Sequence, residues 1–315
     1  MSGLVTIDTA PVAARSDRGA DDKEVAVKPP PFQYAAPTSV AEAVELLGAH
    51  ADDDARALAG GQSLVPLMNF RLAQPAYLID LRRIEELTRI RTEGDTLVIG
   101  AMVRQSHAEH APEIAVGAPL LAEALGYVAH PPIRNSGTVG GSIAHADPAA
   151  ELPAVVLALD AELVLAGLGG TRTVAAADFF TGPFSTAIGS GEILTEVRIP
   201  RRAGGHAFVE FARTHGNFAL VGVAAVVELD GGTVARASIA LSGVAPVPVR
   251  ATAAEEALTG TVPDDASIRA AVDAAVAGLS PAGDVHGGRE TRTDIARSYL
   301  RRGIELALSR AGDRR

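Results

Sequence analysis

Two glycine pairs carry the strongest chemical signal in this 315-residue chain: Ala59-Gly60-Gly61-Gln62-Ser63 and Thr138-Val139-Gly140-Gly141-Ser142. Each ends in serine and stands at the mouth of an expected strand or helix. Paired glycines let a backbone approach a ligand closely, and successive N–H groups in such a turn form a concavity for anions. A pyrophosphate fits between two of them. Taken singly, either pair reads as an ordinary turn, since glycine favours turns. Two of them, with serine hydroxyls in register, weaken that reading. A third cluster, Ala144-His145-Ala146-Asp147-Pro148-Ala149-Ala150-Glu151, sets Pro148 where a helix can start and Asp147 where its cap belongs. Glu151 falls one turn later, placed either to accept from ribose hydroxyls or an adenine amine of a nucleotide, or to face solvent. His145 is a polar contact or a structural loop histidine.

Missing residue types narrow the chemistry. Cysteine is absent, which removes disulfides, thiol nucleophiles and any iron–sulfur cluster held by cysteines of this chain. Of the 28 basic residues all but Lys23 and Lys28 are arginine, so the body of the protein has no amine for Schiff bases or a phosphate loop. Neither a GxSxG elbow nor an HExxH helix occurs. The dinucleotide fingerprint G-x-G-x-x-G with a following acid also fails at both pairs. Gly167-Leu168-Gly169-Gly170 comes nearer, but Thr171-Arg172-Thr173 follows it, and it reads as a hairpin turn. His107 and His110 stand at i, i+3 without an evident third ligand, so no metal site is assigned. No side chain is nominated as catalytic. Redox work would need a borrowed cofactor.

The elements that must position these residues divide the chain. Residues 1–30, closing on Pro29-Pro30-Pro31, lack apolar periodicity and read as a flexible arm. Thr38, Ser39 and Glu42 cap a helix running to about Ala49; Arg56 to Ala59 reads as a strand, Leu64 to Leu72 as a helix and Tyr77 to Leu81 as a second strand. Leu87 to Arg91 and Thr96 to Gly100 flank a hairpin at Glu93-Gly94-Asp95, and two helices fill Val103 to His130. A loop is expected over Pro131 to Ser142 and a helix over Pro148 to Leu159, then strands at Glu162 to Leu165 and Ile193 to Ile199. Beyond a boundary near 205, three strands (Ala207 to Phe211, Leu220 to Glu228, Val234 to Leu241) precede three helices, a separate α+β module. The apolar content of 47% is that of a globular protein, and the net charge of -10 argues against nucleic-acid binding. With no membrane-length apolar run and no signal-like N-terminus, the expected location is cytoplasmic.

Three long strings resemble one family: "AGGQSLVPLMNFRLAQPAYLIDL" from Ala59 to Leu81, "IRNSGTVGGSIAHADPAAELP" from Ile133 to Pro153, and "FARTHGNFALVGVAA" from Phe211 to Ala225. They are similar to the FAD-binding medium subunit of molybdenum-containing hydroxylases, the group of aerobic carbon monoxide dehydrogenase and xanthine dehydrogenase. The resemblance implies an α+β chain: a two-subdomain FAD-binding fold of the vanillyl-alcohol-oxidase/p-cresol-methylhydroxylase type over 31–205 (subdomains about 31–85 and 86–205), then a C-terminal domain over 206–315 with a three-stranded antiparallel sheet and helices. Carried over by position, Ala59, Gly60, Gly61, Gln62, Ser63 and Leu64 cradle the FAD pyrophosphate with Thr138, Gly140, Gly141 and Ser142. Glu151 is the acidic contact to the adenosine part, with Asp147 the second candidate and His145 beside them. Ile193 or Leu194 packs on the adenine or ring system, and Phe218 lies near the isoalloxazine. Two departures stand out: Glu210 where many relatives have Lys, and Asn217 where Asp is common.

The implied function is an electron-transfer subunit. Substrate would be oxidised at a molybdenum cofactor on a large partner subunit, and electrons would pass through [2Fe-2S] clusters on a small one to FAD here, then to an external acceptor. The expected assembly is a dimer of heterotrimers. Two alternatives stay open: a scaffold subunit that has lost flavin, suggested by Glu210 and Asn217, and a free-standing FAD oxidoreductase.

Overall fold

The computed structural model describes Val5–Thr6 and residues 28–312. Most of the arm, with its expected flexibility, lies outside the described residues. Strand β1 (Val5–Thr6) runs antiparallel to β2 (Gln33–Ala35). Then follow α1 (Val40–Ala49), β3 (Ala55–Leu58), α2 (Leu64–Asn69) and β4 (Tyr77–Asp80). The sheet order is β1-β2-β4-β3, with β4 parallel to both β2 and β3. Ser39 caps α1 by accepting from the Glu42 N–H at 3.2 Å, and the Glu42 carboxylate reaches back to the Thr38 N–H at 2.9 Å. That fixes the chain's entry into the helix whose Val44 and Leu47 are buried beside Ile79.

A second sheet is antiparallel, in the order β5-β6-β11-β7-β8, from β5 (Ile90–Glu93), β6 (Thr96–Gly100), β7 (Glu162–Gly167), β8 (Gly170–Ala175) and β11 (Ile193–Pro200). The hairpin at Glu93-Gly94-Asp95 is present, as is the one at Gly167 to Gly170. Between β6 and β7 lie α3 (Gln105–His110), α4 (Pro112–Gly117), α5 (Pro119–Leu125), α6 (Pro131–Ser136), α7 (Val139–His145) and α8 (Glu151–Ala158). Helix α9 (Ala176–Phe179) and the small hairpin β9 (Phe180–Gly182) and β10 (Ser185–Thr186) precede β11.

Four expectations are corrected here. The stretch before His130 holds three helices, not two, because Pro112 and Pro119 each open a new helix in its first turn, where a missing N–H costs nothing. Pro131 does the same, so the expected loop contains α6 and the start of α7. The helix expected from Pro148 begins at Glu151 instead: Asp147 accepts the Ala149 N–H at 2.9 Å and closes a local turn, leaving Ala150 as the cap. Residues 85–88 form a 3₁₀ turn, which delays the strand expected from Leu87 to Ile90.

The last module is β12 (Gly205–Phe211), β13 (Val221–Asp230), β14 (Thr233–Ser242), β15 (Val249–Arg250), α10 (Thr252–Leu258), α11 (Asp265–Ala277) and α12 (Arg289–Gly312). Its antiparallel sheet has four strands, not three; β15 is only two residues long and follows Pro246 and Pro248, too short to show as alternation. Both faces of this sheet are covered, which is why β13 reads as a continuous apolar run. Ala207, Val209, Val221 and Val223 join the helices of the module, whereas Phe208, Ala224, Val226 and Ala240 enter the core of the preceding sheet, against α5 and α8.

Ionic contacts reinforce that junction. Asp160, in the turn after α8 at φ 48°, receives Arg250 at 2.5 Å, Arg202 at 2.6 Å and Arg236 at 2.9 Å. The Arg250 guanidinium also donates to Leu157 O and Ser238 Oγ, both at 2.8 Å, and pairs with Glu255. Burial works to raise the Asp160 carboxyl, but Arg250 and Arg202 hold it below the usual aspartate range. At the far end of α12, Arg310 pairs with Glu123 of α5 at 2.7 Å and donates to His206 O at 2.6 Å.

Candidate functional site

The fold brings the two glycine pairs together. Gly60 lies so close to Ser136 and Gly137 that a side-chain carbon there would stand 2.7 Å from the Gly137 Cα, and one on Gly141 would meet Ala59 Cβ at 3.2 Å. Gly61 follows at φ +75°, a left-handed turn at the carboxyl end of β3 that suits glycine. After it the chain turns into α2, with the Gly61 carbonyl accepting from the Val65 N–H at 3.1 Å. Among the described residues nothing accepts from the N–H groups of Gln62, Ser63 or Leu64. These are the donors this loop can turn to an anion.

The second pair is built differently. Thr138 caps α7, its Oγ1 accepting from the Gly141 N–H at 3.0 Å, while the Gly140 N–H donates to Ala101 O and the Val139 N–H to Val103 O, both at 2.9 Å. The amides of this pair are therefore satisfied inside the protein. What it offers is closeness: Gly140 lets α7 lie on the backbone of Ala101, where a side-chain carbon would stand 2.6 Å from the Ala101 Cα. Gly141 and Ser142 stay partly exposed beside Ala59.

Downstream, the His145 ring lies tilted against Phe184 with centroids 5.2 Å apart, and the Phe184 N–H donates to Ala146 O at 3.0 Å. Burial pushes the His145 imidazole below its ordinary value, with Asp147 working against that. Phe184 is 59% exposed and Phe218 65% exposed, two large apolar rings open to a ligand. Ile193 and Leu194 are instead core residues at the irregular register between β11 and β7: Ile193 joins the core around α1, and Leu194 the core around α8. His107 and His110 remain exposed, and among the described residues no three His, Asp or Glu side chains are grouped to hold a metal.

Glu151 is 5% exposed, so it does not face solvent. Burial first, and then Asp147, push its carboxyl up to about 7. Glu210 is pushed up to about 8 by burial and then by Glu151, and its Oε2 is buried without a partner. Ser242 and Phe184 carried no signal a sequence reader would take for a site; Ser242 is a serine ending an apolar strand, and Phe184 an aromatic after Gly-Pro.

Both acids are close to their ordinary value in an unfolded chain, so between that range and pH 7–8 the folded protein binds more protons than the unfolded one. Stability therefore falls as pH rises through this window, by about 2–3 kcal/mol after allowance for the partial exposure of Glu210. The melting temperature of the flavin-free chain is expected to drop from pH 6 to pH 8.5, and Glu210→Gln to flatten the drop. A melting temperature that rises over that range would contradict the buried acid pair.

Comparison with known proteins agrees with this architecture. Residues 30–202 match the family model described as FAD binding domain in molybdopterin dehydrogenase, and 206–307 match CO dehydrogenase flavoprotein C-terminal domain. The chain is 42% identical over 284 residues to the carbon monoxide dehydrogenase medium chain of Hydrogenophaga pseudoflava, covering 90% of this chain and 99% of that one. It is 42% identical over 288 residues to subunit alpha of the 6-hydroxypseudooxynicotine dehydrogenase complex of Paenarthrobacter nicotinovorans, covering 90% and 97%. Among solved structures, carbon monoxide dehydrogenase of H. pseudoflava superposes with a TM-score of 0.88 at 44% identity, and quinoline 2-oxidoreductase of Pseudomonas putida 86 with 0.87 at 40%, each covering 90% of this chain and 99% of the other. With matches of this extent, both in sequence and in fold, the chain belongs to the family of FAD-binding medium subunits of molybdenum-containing dehydrogenases.

Proposed function

We propose that this chain carries FAD in the seam between the two glycine pairs and serves as the electron-transfer subunit of a molybdenum hydroxylase complex. The observation that supports this most directly is the seam itself: Gly60 has no room for a side chain against Ser136 and Gly137, Ala59 lies against Gly141, Gly61 is left-handed, and the N–H groups of Gln62, Ser63 and Leu64 that follow are unclaimed among the described residues. In this reading Ala59 to Leu64 donate to the pyrophosphate, and Thr138, Gly140, Gly141 and Ser142 form the opposite wall. His145, Asp147 and Glu151 line the route onward, Ile193 and Leu194 back it from the core without being exposed to it, and Phe218 covers the ring. Bound FAD supplies the redox chemistry, accepting electrons singly and releasing them in pairs. The chain's own part is to bind, orient and shield it.

The partners in this reading are a large subunit with the molybdenum cofactor and a small subunit with [2Fe-2S] clusters, in a dimer of heterotrimers within the cytoplasm, delivering to an external acceptor. Among the described residues no helix is long and apolar enough to cross a membrane. The acid at 210, where many relatives have Lys, favours a second reading, a scaffold subunit without flavin. Purifying the chain, recording its visible spectrum and identifying released nucleotide by mass spectrometry separates the two. One FAD per chain is expected; a colourless protein that rejects added FAD favours the scaffold. Gly61→Val and Gly141→Val are each expected to lose most of the flavin, and a Gly141→Val protein with full flavin content overturns the assignment of that wall.

A further inference from the structure

Among the described residues, every arginine that is not exposed forms an ion pair with a carboxylate, except one. Arg134 has Glu109 at 2.8 Å, Arg292 has Asp284 at 2.7 Å and Arg310 has Glu123 at 2.7 Å. The exception is Arg104, partly buried between β6 and α3, whose Nη1 donates to the neutral carbonyl of Ser136. Its Nε and Nη2 bond nothing among the described residues. Arginine stays charged at every working pH, so burying part of it favours an anion beside it.

Arg104 lines a cavity of about 180 Å³ together with Arg82, Thr88, Met102, Val103 and His107. No carboxylate stands among these walls. Asp80, only 1% exposed, offsets the charge of Arg82, accepting its Nη2 at 2.6 Å and its Nε at 2.8 Å while also taking the Tyr34 hydroxyl at 2.6 Å. The Arg82 side chain stays 55% exposed all the same. The guanidinium left without a carboxylate is that of Arg104. Both arginines are held in advance of any ligand, Arg82 by Asp80 and Arg104 by an antiparallel bridge to Thr138, flanked by the Val139 N–H to Val103 O and the Gln105 N–H to Gly137 O, both at 2.9 Å. Much of the freedom such side chains lose on binding is therefore already gone. The space equals about six waters at roughly 30 Å³ each and falls below the roughly 300 Å³ of larger ligand pockets, which suits a small anion and not a whole nucleotide.

An arginine fork matches the spacing of phosphate oxygens and gives them charge-assisted hydrogen bonds. We propose that this cavity is an oxyanion site in which Arg104 and Arg82 together bind one phosphate group. The site stands whether or not the chain carries FAD. Its phosphate has two sources, a free phosphate ion or a phosphate of FAD reaching in from the seam. The second is close by, because the Ser136 carbonyl that accepts from Arg104 is the one that leaves Gly60 no room for a side chain, and Thr138, the bridge partner of Arg104, opens the second glycine pair. No covalent bond changes in either case.

The test uses the flavin-free full chain, dialysed to equilibrium against radioactive inorganic phosphate at an ionic strength held constant with sodium chloride. One phosphate per chain is expected, with Arg104→Gln weakening it at least about tenfold and Arg104→Lys restoring most of the affinity. Glutamine keeps an N–H for the Ser136 carbonyl, so this variant removes the charge and spares the bond that positions it. Repeating the dialysis with excess FAD separates the sources: phosphate displaced by FAD identifies the cofactor's own phosphate as the occupant, and phosphate retained identifies the free ion. Where phosphate alone does not bind, a rise of about tenfold in the FAD Kd of Arg104→Gln supports the site with FAD as its source. The proposal is overturned if Arg104→Gln changes the affinity for neither phosphate nor FAD, or if the native chain binds neither. Phosphate bound through Arg104 by a chain that takes no FAD overturns the FAD reading and leaves the oxyanion site in place.

Discussion

Gly140→Val is expected to destroy the fold of the nucleotide-binding half, not merely its flavin content. The new side chain would strike the Ala101 backbone, 2.6 Å from its Cα and 2.7 Å from the carbonyl oxygen that holds the Gly140 N–H. Backbone cannot swing aside as a side chain does, so α7 must lift from the end of β6. That breaks the 2.9 Å bonds from Val139 and Gly140 and displaces Thr138, the cap that holds the Gly141 amide. The cost is more than about 3 kcal/mol, a large share of a domain's net stability. Soluble yield and a thermal melt followed by circular dichroism measure it. Gly169→Ala is the matched control: a side-chain carbon there meets nothing within 4 Å, and its melt is expected to stay at the native value. If Gly140→Val melts with the native protein, α7 does not rest on Ala101 as described.

Asp160→Ala carries the second large effect. One carboxylate answers three arginines, and its loss leaves Arg250 and Arg202, whose side chains are only 21% and 13% exposed, without that counter-charge at the junction. Arg250 keeps Glu255 and the Leu157 carbonyl, so the loss is partial, about 2–4 kcal/mol. Asp160→Asn tolerates the same left-handed backbone and keeps one acceptor, so it is expected to fall between the two. The sign of the pH effect follows from the lowered carboxyl: its stabilisation is present above the ordinary aspartate range and lost as pH falls through the lowered value. Denaturant midpoints at neutral pH and near pH 3 report both effects. Equal midpoints for the Ala variant and the native protein would mean the three arginines are satisfied by solvent.

Much of this architecture was readable from residue order because its local signals agree. Ser39 with Glu42, the Gly94 hairpin and the apolar run of β13 up to Val227 each point to one structure at short range. The glycine pairs were legible as one candidate site, and the structure does bring the two loops together. Their division of labour was not legible: that Gly61 frees donors while Gly140 buys closeness depends on Ser136 and Ala101 arriving from elsewhere in the chain. Prolines misled in the other direction. Pro131 reads as part of a loop, and Pro112 and Pro119 as part of a stretch of two helices, yet each sits in the first turn of a helix of its own, and a proline alone does not say on which side of it the helix lies. Glu151 and Glu210 were visible as an acidic contact and a departure, but no spacing shows that Glu210 lies opposite Gly222, which in turn pairs with Ser242. Register across β12, β13 and β14 does that, and register is set by the sheet as a whole.

Phe208, Ala224, Val226 and Ala240 belong by sequence to the second matched region and by burial to the core of the first. Their contacts are completed only when both regions are folded, so neither half keeps its full stability alone. Calorimetry of the whole chain is accordingly expected to show a single endotherm whose van't Hoff and measured enthalpies agree, not two successive melts. For the cell, the consequence is temporal: an exposed apolar face on α5 and α8 must wait during synthesis until the chain has been made through Ala240, well beyond the end of α8 at Ala158, a window in which a chaperone, or premature self-association, competes for that face.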